Sequence, residues 1–93
     1  MPKSLSQHSC PRLRPGVRLQ FDPVRHQWVL LAPERVLALD SIGATLIQKM
    51  NGKMQLATIA ADCASEYDAP MAEITSDIIG FVQTMIDKMI VEL

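Results

Sequence analysis

Val17, Leu19 and Phe21 alternate with Arg18, Gln20 and Asp22. A period of two predicts a strand with one dry face. Asp22-Pro23 follows, and Pro23 suits the second position of a tight turn. Trp28 to Ala32 is a continuous apolar run, the pattern of a strand covered on both faces. Pro33-Glu34 leaves room only for a short connection to a third strand, Arg35 to Leu39. Three strands with short links form an antiparallel meander.

The period then lengthens to about 3.6. Asp40 or Ser41 can accept the first free amides of a helix whose apolar stripe is Ile42, Leu46, Ile47 and Met50. Asn51-Gly52 ends it, since both residues tolerate a left-handed backbone. A second helix spans about Leu56 to Tyr67, with Leu56, Ile59, Ala60, Cys63, Ala64 and Tyr67 on one side. Asp68-Ala69-Pro70 breaks it, and Pro70 fits the first turn of a third helix running to about Met89. The apolar positions of that helix, from Met71 through Ile74, Ile78, Phe81, Val82, Met85 and Ile86 to Met89, cover about half its circumference, where a one-sided helix needs ~100°. Such an arc needs two surfaces to pack on. The expected fold is α+β: a three-stranded antiparallel meander followed by a three-helix bundle, resembling a winged helix-turn-helix.

Composition bounds this picture without changing it. A chain of 93 residues with 48% hydrophobic content makes one small domain. Residues 1–16, with Pro2, Pro11, Pro15 and Gly16 among polar and basic side chains, read as a flexible arm ahead of a domain at 17–93. Cys10 and Cys63 make no disulfide framework, no segment approaches transmembrane length, and the N-terminus lacks the apolar stretch of a signal peptide. A reduced, cytoplasmic protein off the membrane is the expectation. The net charge of −1 divides unevenly: residues 1–35 carry +4 and residues 36–93 carry −5.

That division matters for function. A recognition helix brings Arg or Lys to phosphates, whereas the third helix carries Glu73, Asp77 and Asp87 against Lys88. Nucleic acid is therefore an unfavourable partner. Catalytic chemistry is equally hard to assemble. His8 and His26 are the only histidines, His8 lies in the arm, and the glycines are too scattered to cradle a phosphate. Asp62 with Glu66 and Glu73 with Asp77 read as solvated helix faces. No catalytic residue, metal set or cofactor site is expected.

A binding role fits better. The first strand carries Arg18 and Gln20, which guard an edge, but Val36-Leu37-Ala38-Leu39 has charges only at its ends, Arg35 and Asp40. An extended peptide can add to such an edge as a further strand. A dimer partner or the N-terminal arm are the other ways to cover it.

Arg14-Pro15-Gly16-Val17-Arg18-Leu19-Gln20-Phe21-Asp22 and Trp28-Val29-Leu30-Leu31-Ala32-Pro33-Glu34-Arg35-Val36-Leu37 resemble the PqqD family, and Leu30-Leu31-Ala32-Pro33-Glu34-Arg35 is the core of that likeness. Asn51-Gly52-Lys53 and Ile59 to Tyr67 continue the resemblance, which extends over about residues 12 to 90. It implies a non-catalytic peptide-recognition domain that binds the ribosomally made precursor of pyrroloquinoline quinone. Such a domain presents the peptide to a radical S-adenosylmethionine enzyme that crosslinks a Glu and a Tyr. Carried onto this chain, the groove would set Arg35, Val36, Leu37, Ala38 and Leu39 against Ile78, Phe81, Val82 and Met85. Two departures stand out. Gln55 replaces a capping threonine, so the second helix should start less sharply. Lys88-Met89 replaces an arginine-glycine stop, so the third helix should run on and can affect homodimer formation. A DNA-binding regulator and a structural dimerisation module remain the competing readings.

Overall fold

The structure, a computed structural model, describes residues 5–93. Its elements are β1 (Arg12–Leu13), β2 (Arg18–Asp22), β3 (Gln27–Ala32), β4 (Arg35–Leu39), α1 (Ser41–Lys49), α2 (Leu56–Tyr67), α3 (Met71–Asp87) and β5 (Val91–Glu92). The expected three strands and three helices are all present. The short strands β1 and β5 are additions, and they pair with each other, Leu13 opposite Val91.

The meander has the order β2-β3-β4, antiparallel throughout. Asp22 shapes its first turn by accepting the amides of Val24 and Arg25 at 3.0 and 3.2 Å, and His26 closes it with φ 51°. Leu19, Leu30 and Leu37 stand side by side across the sheet and face the helices. Leu30 is 0% exposed. The other face is not sealed as the apolar run of β3 suggested: Val29 and Leu31 are half-buried there beside an exposed Val36. The run is apolar because its central position is fully buried, not because both faces are.

Asp40 caps α1, its Oδ1 accepting the Gly43 amide at 2.7 Å. Past the end of α1, Gly52 takes φ 79° and Asn51 Oδ1 accepts the amides of Lys53 and Met54 at 2.8 and 3.0 Å. Lys49 then ties α1 to α2 through Glu66 at 3.1 Å and Asp62 at 3.8 Å. Leu46, Ile47, Ile59, Cys63, Ile78 and Val82 form the core with Leu30. Burying each of the larger side chains contributes roughly 1.5–3 kcal/mol.

Three expectations need correction. Residues 1–4 of the proposed arm lie outside the described residues, but the rest is anchored to the domain at several points. Pro11 is buried, Leu5 lies on the core, and the Gly52 amide donates to the Pro11 carbonyl at 3.0 Å. The same segment also answers the missing cap at Gln55, which makes no side-chain capping bond. The Leu56 and Ala57 amides donate to the Ser9 and Gln7 carbonyls, each at 2.9 Å. Backbone from the arm thus satisfies donors that a threonine hydroxyl would otherwise serve. Finally, α3 does not run on. The Met89 amide donates to the Ile86 carbonyl, the Ile90 amide donates to the Met85 carbonyl, and Met89 takes φ 64°. These bonds make a Schellman motif with methionine where glycine is usual. Burial of Ile90 and Val91 in the core draws the chain into that turn.

Candidate functional site

The strand β4 borders the sheet, with β3 on one side only. Two residues, Pro33 and Glu34, separate the paired Ala32 and Arg35. In such a hairpin the flanking pair exchanges hydrogen bonds, and bonded and non-bonded pairs then alternate. Arg35, Leu37 and Leu39 therefore spend their amides and carbonyls on β3. Val36 and Ala38 turn theirs toward the free edge. The side chains alternate the other way: Leu37 and Leu39 lean onto the core, while Val36 is 63% exposed.

Beside this edge lies a cleft of about 450 Å³. Ala38 and Leu39 form one wall, Ile74, Asp77, Ile78 and Phe81 of α3 form the other, and Ile42, Gly43 and Leu46 of α1 make the floor. Cys63 and Tyr67 of α2 close one end. The lining is mostly apolar, with Asp77 and Asp40 as its charged members. Gly43 matters at the floor: a Cβ there would stand 3.1 Å from Asp40 Oδ1 and 3.6 Å from the Phe81 ring. A side chain at this position would fill the base of the cleft.

Four of the nine expected binding residues line this cleft: Ala38, Leu39, Ile78 and Phe81. Val36 lies on the same edge, facing solvent. Leu37 packs on the core, and Arg35 lines a separate hollow with Lys88. Val82 and Met85 do not reach the cleft. They are 0% and 7% exposed and belong to the core, on the side of α3 turned away from the cleft. The wide apolar arc of α3 divides accordingly: Ile78, Val82 and Met85 are buried, while Ile74 and Phe81 remain half-buried toward the cleft. Ile42, Gly43, Tyr67, Ile74 and Asp77 were not anticipated. Ile42 had been assigned to the core stripe but is 51% exposed. Ile74 and Asp77 precede Ile78 and Phe81 by one helical turn, which is the signal that would have found them.

Burial raises the Cys63 thiol above its ordinary value of 9.0, which keeps it neutral behind the cleft. Among the described residues, no group of three His, Cys, Asp or Glu side chains gathers to hold a metal. No helix there is long and apolar enough to cross a membrane. The arrangement offers shape, apolar surface and backbone hydrogen bonds to a ligand.

Comparison with known proteins agrees in sequence and in fold. A family model described as Coenzyme PQQ synthesis protein D (PqqD) matches residues 27–91, which include β3, β4, the cleft and all three helices. A PqqA binding protein of Xanthomonas campestris pv. campestris (strain B100) is 48% identical over 90 residues, which cover 97% of this chain and 98% of the relative. The solution structure of the PqqD part of Methylobacterium extorquens PqqCD, described as a functional, stand-alone RiPP recognition element, overlays with a TM-score of 0.84 at 37% identity. That match covers 97% of this chain and 96% of that one. A crystal structure of PqqD from Xanthomonas campestris, 49% identical, covers 91% of this chain and 94% of its own with a TM-score of 0.56. With sequence, element order and overlay in agreement along almost its whole length, this chain belongs to the PqqD family.

Proposed function

We propose that this chain is a RiPP recognition element of pyrroloquinoline quinone biosynthesis. It binds the PqqA precursor peptide as a fourth strand on β4 and holds it for the radical S-adenosylmethionine enzyme that modifies it. The observation that carries this reading is the pairing of an apolar cleft with outward-facing amides and carbonyls of Val36 and Ala38. Main-chain bonds at an edge give affinity without regard to side chains, and the adjoining pocket gives selectivity. The family relationship supports the same role, since the Xanthomonas relative is described as a PqqA binding protein. The role is that of a binding protein and not of a catalyst. The Methylobacterium relative, part of a longer PqqCD chain, supports action alongside maturation enzymes.

The test is a titration with PqqA precursor peptide, followed by backbone amide shifts. Shifts are expected along residues 36–39 and along α3 from Ile74 to Phe81. Ala38→Pro removes an outward amide and places a ring against the incoming strand. Because that amide is not spent on β3, the fold should survive, and circular dichroism checks this. Phe81→Ala removes one wall of the cleft. Its folding loss should be below the ~3–5 kcal/mol of a fully buried ring, because Phe81 is only partly buried. Wild-type affinity in both folded variants, with shifts elsewhere on the protein, would place the peptide outside this groove.

A further inference from the structure

The cleft and the separate hollow at the other end of β4 carry charge of opposite sign, and α3 runs past both. Arg35, at the start of β4, lines one hollow with Arg14, Glu34 and Lys88, the last residue capping the end of α3. Leu39 and Asp40, at the other end of β4, line the cleft with Ile74 and Asp77 from the first half of α3. Strand and helix therefore run in opposite directions along the groove. One end is net positive, through Arg14, Arg35 and Lys88 against Glu34. The other is negative, through Asp40 and Asp77.

The spacing is matched on both walls. Asp77 and Lys88 are eleven residues apart, which at 100° per residue returns them to nearly the same face of α3, about 16 Å apart along the axis. Phe81 lies between them on that face. Arg35 to Asp40 is five strand steps, about 17 Å. The poles thus stand opposite each other at both ends. None of the ion pairs found among the described residues uses Arg14, Arg35, Lys88, Asp40 or Asp77. Asp40 Oδ1 accepts the Gly43 amide, which leaves its second oxygen to a ligand. Arg25, in the hollow beyond Asp40, lies 4.0 Å from the Asp22 carboxylate, so its charge is already partly answered.

We propose that this polarity fixes the register of the bound peptide. The groove selects an extended segment with an acidic side chain over Arg35 and Lys88 and a basic side chain beside Asp77 and Asp40. The two are about four or six residues apart, so that both face the helix. The inference rests on the groove reading above and adds the side-chain selectivity that backbone pairing alone cannot give. Charges at a rim act chiefly by rejecting wrong partners and wrong registers.

The experiment pairs charge reversals on both molecules. Lys88→Glu, Arg35→Glu and Asp77→Lys all change exposed side chains and should leave the fold intact. Their affinities are measured against PqqA precursor peptide and against a set of peptides in which each charged position is reversed singly. Each protein reversal is expected to weaken the unmodified peptide by roughly three- to tenfold at low salt, with the loss shrinking at high salt. Lys88→Glu should be rescued by reversing one acidic peptide position, and Asp77→Lys by reversing one basic position, with the two at the predicted spacing. If the variants bind as wild type does while amide shifts stay on β4 and α3, the poles are idle and the groove stands. Rescue at positions in the opposite order overturns the assigned polarity. If wild type fails to bind or shifts lie elsewhere, the groove reading falls and the polarity with it.

Discussion

Met89 and Cys63 each hold a residue type in a setting that works against it, and each therefore makes a measurable prediction. Met89 occupies the left-handed region at φ 64° and is 60% exposed, so its side chain returns little burial for the conformation it adopts. A left-handed L-residue costs roughly 1–2 kcal/mol, and glycine forfeits about half of that through its looser unfolded chain. Met89→Gly should therefore raise stability by up to about 1 kcal/mol in urea unfolding. An unchanged or lower midpoint would mean that the Met89 side chain contributes packing that its exposure does not reveal. Cys63 is the opposite case, a thiol held neutral by burial and by the neighbouring carboxylates Glu66 and Asp62, with Lys49 pulling the other way. Its folded value lies above the ordinary 9.0, so the native state keeps a proton that the unfolded chain releases. Its contribution is complete below pH 9.0 and drains away as pH rises through the folded value. Lys49, raised above 10.5 by its hydrogen bond to Glu66 and by its attraction to Glu66 and Asp62 against desolvation, adds a second loss at still higher pH. Unfolding midpoints followed upward from pH 7 should fall from about pH 9. Cys63→Ala, although weaker at neutral pH, should lose the first part of that slope. Equal slopes in both proteins would remove the thiol from the explanation.

Between elements, the most consequential contact is the one that composition hid. The segment before β1 reads as a polar arm because Ser6, Gln7, His8 and Ser9 are what a loop contains. Its structural work is done by the carbonyls of Gln7, Ser9 and Pro11, which every sequence possesses. No side-chain pattern announces that role, and the only hint was negative: Gln55 cannot cap α2. A chain beginning at Arg12 should lose at least about 2 kcal/mol, from the amides of Gly52, Leu56 and Ala57 left without protein partners and from the loss of Pro11 and Leu5 packing. At 4–8 °C per kcal/mol for a domain of this size, the thermal midpoint should drop by roughly 8–16 °C. A midpoint within a degree or two of the intact chain would show that water serves those amides equally well. The three strands of the meander and the three helices were legible, because periods of two and 3.6 are imposed by burial and burial leaves a hydrophobic trace; β1 and β5, two residues each, are too short to show a period. The edge of β4 was visible for the same reason. Val82 and Met85 lie in the core and not along the cleft, and the sequence cannot tell the two apart, because a stripe says that a helix is dry, not what dries each part of it. Separating core from cleft needs the position of α1, and Gly43 and Ile42 acquire a place in the site only through that packing.

At the scale of the molecule, charge and shape point away from the nucleic-acid role that a helical triad beside a hairpin suggests. The helical half is net negative, and Glu73, Asp77 and Asp87 lie along α3. Binding to duplex DNA should therefore remain weak even at low salt, since neutralised phosphates are its main source of affinity. Tight anisotropy-detected binding with a steep salt slope would contradict this. A different property follows from the pairing of β1 with β5. Both ends of the fold come to one seam, where Arg12 meets Glu92 at 3.3 Å and Ser6 and Leu93 line one hollow, and no residue of that seam lines the cleft. The domain is therefore a cassette in the engineering sense. It can be spliced into a host chain with little distance to bridge, or its ends joined and new ones opened at the turn after Asp22, while the cleft between β4 and α3 keeps its shape.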